Sequence, residues 1–278
     1  MIGDLHCHTR LSDGSSSIED LIFYAKRAGM DFVALTDHDT MAGTTRAAVL
    51  GQRYGIVVLP GAELSAWDND RGRKVHVLCY LPRKPQRLLS ICSKVLESRA
   101  RAGQEMVRRA MTYYPVTAEH IARHASGSKA IYKVHIMHAL MDLGYTGQVY
   151  GELYHRLFDS QNGLCFVPTE YPEVHTIIDS IHSAGGIAVM AHPTEFHSLD
   201  LLEDLAKQRL LDGVEVHHPR CSPEAEVVIG GIANRYGLIQ TGGSDFHGYY
   251  ASCPNPVGSC ITVGEEIDKL FHLSKKTK

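Results

Sequence analysis

The sequence predicts an α/β barrel of parallel strands whose circuit is interrupted once by a block of helices. Three observations carry this. Up to residue 82, short apolar runs alternate with amphipathic stretches in the rhythm of βα units. From Pro85 to about Pro168 the pattern turns helical and strand-poor. Beyond it, strand and helix alternate again to the end of the barrel.

The elements follow in order. Met1–His8 contains the first run, IGDLHCH. Ser16–Gly29 opens with serines suited to an N-cap, continues as IEDLIFYAKRAG and stops at a glycine, which predicts a helix. Asp31–Thr36 is the second strand, Thr40–Gly55 the second helix, Ile56–Pro60 the third strand and Lys74–Tyr80 the fourth. The segments LLSICSKVLESRARAGQEMVRRAMTYY, AEHIARHA, VHIMHALMDLG and YGELYHRLFD then read as an inserted helical domain, with Met and Tyr at helical spacing as its core. Alternation resumes with Val174–Ala184, Gly186–Ala191, Leu199–Leu211, Gly213–His217, Pro223–Tyr236 and Leu238–Gly242. Seven parallel strands with flanking helices suggest a barrel, and in such barrels the carboxyl ends of the strands carry the active site.

Bulk properties narrow the class without naming a reaction. The 278 residues suffice for one large barrel or two ordinary domains. A net charge of −3 leaves no general nucleic-acid footprint, although basic residues gather between Lys84 and Arg109. Seven scattered cysteines without a CxxC pair imply reduced thiols rather than a disulfide framework. The amino terminus runs straight into a strand and lacks the regions of a signal peptide, and no apolar run reaches membrane-spanning length. A cytoplasmic enzyme without a membrane anchor is the expectation.

Nine residues of metal-ligand type close or directly follow the strand-like runs: His6, His8, Asp13, His38, Glu63, His76, His192, Asp245 and His247. Solvated His and Asp residues fall anywhere, whereas these share one place in the βα rhythm. Residues two apart on an extended chain share a face, so His6 and His8 point together into the barrel mouth while Leu5 and Cys7 point away. Asp245 and His247 repeat that spacing after Gly242–Gly243, where missing side chains let backbone pass close to a ligand. Six imidazoles and three carboxylates without sulfur suit zinc, manganese or iron better than calcium or magnesium. Nine ligands exceed the needs of one ion. Two or three ions sharing a carboxylate would use them all, and paired ions of this kind hydrolyse phosphate esters.

Other polar residues read differently. In GVEVHHP, Glu215 adds no obvious ligand, and His217, two positions on, is a candidate proton donor. Asp4 and Asp37 each precede a ligand and are placed to orient it. His120, His124, His138, His155, His175, His182, His197 and His272 show no comparable spacing and read as surface or core.

The motifs DLHCHTRLSDG, ALTDHDT, GAELS, KVHVLCY, AHP and GGSDFHG, in this order along the whole chain, resemble those of the polymerase and histidinol phosphatase (PHP) metal-dependent phosphoesterases. The resemblance implies a distorted (β/α)7 barrel, the PHP fold, over residues 1–83 and 169–278, with a helical insertion at 84–168 covering a trinuclear metal site. It implies a first metal on His6, His8, Glu63 and Asp245, with Glu63 bridging to a second that also takes His76 and His192. Asp13, His38 and His247 would hold the third. ESRARAGQEM, YKVHIMHALMDLG and AGGIAVMAHP further resemble the nucleoside 3′,5′-bisphosphate phosphatases and the exoribonucleases that trim short RNA from its 5′ end. Where that group shows Arg-Pro-His, this chain has Lys133-Val134-His135, which keeps the charge but loses the bidentate fork. The basic residue that the group carries shortly before its Tyr-Val-Pro is absent near Gly163–Leu164.

The expectation is therefore a phosphoric ester hydrolase with two to three divalent ions of manganese, zinc or iron, in which activated water attacks phosphorus. Glu63 acts as the bridge and His217 as proton donor, while Arg99, Lys133 and His135 bind the substrate's phosphate. The substrate is a small phosphorylated molecule, a nucleotide or short RNA, and no obligatory protein partner is evident. Two other readings stand behind it. A histidinol-phosphate phosphatase fits less well, because such sequences usually carry a His where this chain has Asp13 and lack the insertion. A non-catalytic module of the kind attached to replicative polymerases often shows eroded ligands, and here all nine are present.

Overall fold

The apolar runs pair into a single mixed sheet of eight strands, nearly closed into a barrel and surrounded by helices. A computed structural model describes residues 1–276. The chain runs through β1 (Ile2–Asp4), α1 (Ile18–Arg27), β2 (Phe32–Leu35), α2 (Thr44–Tyr54), β3 (Val57–Asp68) and β4 (Arg73–Tyr80) before the helical block. That block comprises α3 (Leu89–Tyr113), α4 (Ala118–His124), α5 (Lys133–Asp142) and α6 (Glu152–Phe158). The chain returns to the barrel with α7 (Val174–Ser183), β5 (Ile187–Met190), α8 (Leu199–Lys207), β6 (Gly213–His217), α9 (Pro223–Tyr236) and β7 (Ile239–Gly242). A short β8 (Thr262–Val263) and α10 (Gly264–Lys276) complete it. The sheet order is β7-β6-β5-β4-β3-β2-β1-β8, and Leu5 N donates to Gly242 O at 3.3 Å where the first and seventh strands approach.

Parallel pairing holds for β1 with β2, β2 with β3, β5 with β6 and β6 with β7. The fourth strand departs from the expectation of seven parallel strands, since β4 is antiparallel to both β3 and β5. The reason lies in the connection. Only Asn69–Gly72 separates β3 from β4, which suits a hairpin, whereas parallel neighbours need a crossover of roughly a dozen residues or more. β3 also runs past its expected end at Pro60, through Glu63 to Asp68. Because β4 runs backwards, His76 near its start lies opposite Ser65, at the same mouth as the carboxyl ends of the parallel strands. An eighth strand not expected from the sequence, β8, pairs antiparallel with β1.

Side-chain alternation explains where the core sits. On β4, Val75, Val77 and Cys79 pack outward among residues of α7 and α8, while Leu78 and Tyr80 join Leu59 and Val189 in a separate cluster inside the barrel, together with Leu5, which was expected to point outward with Cys7. These interior residues are fully buried and form a floor beneath the polar mouth. Tyr80 finds a partner for its hydroxyl, which donates to Leu5 O at 2.7 Å. The helical block has an apolar cluster of its own, including Met106, Ile121, Ile136, Met137, Leu140, Leu157 and Phe158. Tyr250, from the loop after β7, is also part of that cluster and ties the block to the barrel.

Candidate metal centre

All nine residues singled out from the sequence meet at the barrel mouth, with Glu63 at their middle. Its Oε1 lies 2.6 Å from His76 Nδ1 and 2.9 Å from His192 Nε2. Its Oε2 lies 3.0 Å from His38 Nδ1, 3.3 Å from His8 Nε2 and 3.4 Å from His6 Nε2. Asp245 Oδ1 faces His6 and His8 Nε2 at 3.5 and 3.4 Å. Asp13 faces His8, His38 and His247 at 3.7, 3.5 and 3.4 Å. The nine come from strand ends far apart in sequence, so only the closed sheet brings them together.

The donors converge on common points rather than on one another. His6 Nε2, both ring nitrogens of His8, Asp13 Oδ1, His38 Nδ1, His76 Nε2 and His192 Nδ1 are buried without a hydrogen-bond partner, although carboxylate oxygens lie close by. Buried polar atoms left unmatched are costly and rare. A set of imidazoles and carboxylates gathered this way fits divalent metal ions.

The carboxylates and imidazoles of the cluster shift one another's ionisation. Burial opposes ionisation of Glu63, yet His76, His38 and His6 hold its pKa well below the usual carboxylate value, so the central group stays charged. Burial likewise opposes charge on His8, but the carboxylates of Asp245 and Glu63 close to its ring push it to about 10. His76 goes the other way, to about 4, because burial prevails there. Two of the six non-glycine residues with positive φ among the described residues belong to the cluster, His192 at φ 22° and Asp245 at φ 49°.

A surrounding layer of acids orients the ligands. Asp4 accepts from the backbone of His6, Ser244 and Gly258 at 3.3, 2.9 and 2.8 Å. Asp37 accepts from Thr9 N, Thr9 Oγ1 and Ser12 Oγ, which shapes the loop leading to Asp13. Glu215, which offered no signal as a ligand, is fully buried with Oε1 at 3.0 Å from His6 Nδ1, and its Oε2 accepts from His192 N at 2.9 Å. Such contacts fix imidazole orientation.

Two expected residues are placed elsewhere. His217 was expected to share the inward face of Glu215, but its side chain is half-exposed and lies 3.3 Å from Glu226. The pairing of β6 with β7 shifts register between Glu215 and His217, and a bulge of this kind moves the alternation on by one residue. His218 faces inward instead, buried, with Nε2 3.4 Å from Asp245 Oδ2. The doubled His217-His218 before Pro219 was the available signal. His135 is buried at the start of α5, where its Nδ1 accepts from Tyr132 N at 3.1 Å, so that ring nitrogen caps a helix and is not free for a phosphate.

Lys133 and Arg99 do line a cavity of about 780 Å³ beside the cluster, together with Lys74, Tyr132, Tyr154 and Tyr171. Asp13 and His38 belong to its wall and connect it to the ligand cluster. Arg99 is committed within the protein: its Nη2 donates to Asp39 Oδ2 at 2.9 Å and Ser65 Oγ at 3.0 Å, and its guanidinium lies 4.8 Å over the Tyr132 ring. Lys133 is less engaged, with Nζ 4.8 Å from the Phe166 ring and a long 3.4 Å contact to Phe158 O. Lys74, Glu195 and Arg220 at the mouth carried no sequence signal comparable to the ligand spacing.

Gly243 shows how tightly the centre is assembled. A Cβ there would lie 2.4 Å from His6 Cβ and 2.5 Å from His6 N. Gly243→Ala must push His6 aside, so phosphate release should fall by about 10²-fold, the cost of misplacing a reacting geometry by an ångström. Steady-state kinetics with elemental analysis checks this, and an unaltered rate would show that His6 is not critically placed.

Comparison with known proteins adds to the geometry. Residues 4–189 match the PHP domain. The chain is 37% identical over 257 residues to the phosphoribosyl 1,2-cyclic phosphate 1,2-diphosphodiesterase of Eggerthella lenta, covering 92% of this chain and 97% of that one. It is 28% identical over 261 residues to the 3′,5′-nucleoside bisphosphate phosphatase of Chromobacterium violaceum, covering 88% and 86%. A metal-dependent phosphoesterase structure from Bifidobacterium adolescentis superposes with a TM-score of 0.87 at 30% identity, covering 98% and 96% of the two chains.

Proposed function

Because this chain belongs to the PHP domain family and is a metal-dependent phosphoesterase, we propose that it hydrolyses a phosphate ester of a pentose that carries a second phosphate group. The observation that carries this reading is the basic, aromatic cavity of about 780 Å³ that shares Asp13 and His38 with the ligand cluster. One phosphate reacts at the cluster while the other reaches Lys133, with Tyr132, Tyr154 and Tyr171 flanking the sugar or base. The names of the Eggerthella and Chromobacterium relatives both denote a sugar unit with two phosphate groups, which supports the same division.

Within this reading two to three divalent ions occupy the centre. His6, His8 and Asp245 would hold one with Glu63, His76 and His192 would hold another with Glu63, and Asp13, His38 and His247 would hold a third. Bound there, such ions would supply Lewis acidity and lower the pKa of a water enough to make a hydroxide nucleophile available near neutral pH. Glu63 stays ionised and joins two sets of imidazoles. Glu215 holds His6 and the His192 backbone in place, His218 steadies Asp245, and Lys133 offsets the charge of the remote phosphate. Lys133 is a single point charge, so it anchors that phosphate without the geometric selectivity of an arginine.

The test is a comparison of phosphoester hydrolysis, followed as product formation, of a nucleoside 3′,5′-bisphosphate and of ribose 5-phosphate 1,2-cyclic phosphate with that of the matching one-phosphate compounds. A two-phosphate substrate should be preferred, because the remote group helps position the reacting one. Lys133→Ala should remove about 10- to 100-fold of that preference in kcat/KM, the loss expected for one charged hydrogen bond. Turnover of p-nitrophenyl phosphate should be spared. Equal efficiency on two-phosphate and one-phosphate substrates in the wild type would sink this substrate class.

A further inference from the structure

Outside the barrel mouth, a second group of metal-ligand side chains meets where α4 packs on α5. His120 and His124 stand four residues apart on α4, and His138 and Asp142 four apart on α5, so each pair lies on one helix face. Asp142 Oδ2 lies 2.8 Å from His124 Nε2 and 3.2 Å from His120 Nε2. His138 Nε2 comes within 3.9 Å of the other carboxylate oxygen, and its ring centroid is 4.0 Å from that of His124. In the sequence these histidines showed no spacing like that of the barrel ligands, because the pairs belong to two helices that only packing brings together.

We propose that His120, His124 and Asp142, with His138 completing the set, form a peripheral binding site for one divalent transition-metal ion of the zinc type. Three imidazole and carboxylate ligands gathered near one point, with His138 Nε2 3.9 Å from the other Asp142 oxygen and able to swing in as the fourth, match a tetrahedral site. With metal–ligand bonds of about 2.0–2.1 Å, the edge of such a tetrahedron is roughly 3.3 Å, close to the 2.8 and 3.2 Å separations already present. The ligand atoms of His120, His124 and Asp142 all lie within 4.8 Å of one another. The side chains are between 16% and 42% exposed, which leaves an ion a path from solvent.

The other ring nitrogen of His138 is already held, since Nδ1 lies 2.8 Å from the Tyr250 hydroxyl, the outer-layer contact that sets a metal-ligating imidazole. Tyr250 stands three residues after His247, and Tyr250 N donates to His247 O at 3.3 Å. An ion here therefore fastens α4 to α5 and, through His138 and Tyr250, to the loop that carries His247. Its role is to brace the helical block against the barrel.

A hydrogen-bonded cluster without metal is the rival account, and the experiment separates the two. The full-length protein is stripped with chelator and titrated with cobalt(II), recording ions bound per chain by equilibrium dialysis and the visible ligand-field spectrum. Wild type should bind one ion more than the His120→Ala/His124→Ala variant, whose spectrum should lack one tetrahedral component. Asp142→Asn provides a milder second variant, because an amide oxygen still accepts from both imidazoles but gives up the anionic ligand. It too should lose the ion, whereas a purely hydrogen-bonded cluster would leave its metal count unchanged. Equal cobalt stoichiometry and spectra in wild type and Asp142→Asn would overturn the proposal.

Discussion

Glu63→Gln is expected to lower phosphate release by at least about 10²–10³-fold, the scale on which losing a single transition-state contact is felt. The substitution keeps the shape and removes the charge. In the folded protein the two Glu63 oxygens face five imidazoles at 2.6–3.4 Å. A neutral amide must turn a donor toward some of them and can no longer join two ions. The fold should survive, because Glu63 holds its place on β3 through backbone pairing with β4, opposite Leu78, and the apolar floor lies below. Kinetics, elemental analysis and circular dichroism on the same preparation check the three parts. A folded variant that keeps half the wild-type rate would show that Glu63 is not the bridge.

The second large effect is on stability. Asp39 is buried at the end of the second βα turn, where Oδ1 accepts from Ser65 N at 2.9 Å and Oδ2 from Ser65 Oγ and Arg99 Nη2 at 3.0 and 2.9 Å. It joins β3 to α3, and so the barrel to the helical block. Asp39→Ala strands the buried Arg99 guanidinium without its counter-charge, a change that costs about 3–5 kcal/mol. Asp39 also sits at φ 55°, which alanine tolerates poorly and asparagine better. Urea unfolding should therefore rank Asp39→Ala well below Asp39→Asn, with wild type highest. An Asp39→Ala midpoint equal to wild type would mean that the Arg99 pair does not hold the two parts together.

How much of this was legible in the sequence depended on which physical rule governed each residue. The meeting of the nine residues at the barrel mouth was legible because they obey a local rule, a polar residue closing an apolar run, and the closed sheet then does the gathering. β4 was given the wrong direction because its composition matches a parallel strand; the short Asn69–Gly72 connection, which excludes a crossover, was the feature that should have decided it. His217 and His218 were exchanged by a bulge, and a bulge is set by pairing between strands rather than by the strand's own residues. Glu215 was passed over because its role, holding His6 and the His192 backbone, joins residues on three strands. His135 and the peripheral histidines depend on how α3, α4 and α5 pack, and helical periodicity alone does not say which faces meet.

Anomalous diffraction from crystals of the protein loaded with manganese tests the central claim most directly, because it counts ions by position. At least two peaks should lie within the barrel mouth, with Glu63 between two of them and imidazoles of His6, His8, His76 and His192 as ligands. Position also separates these ions from any ion bound at His120, His124 and Asp142. A mouth holding one peak or none, in crystals that bind manganese elsewhere, would contradict the multi-metal centre.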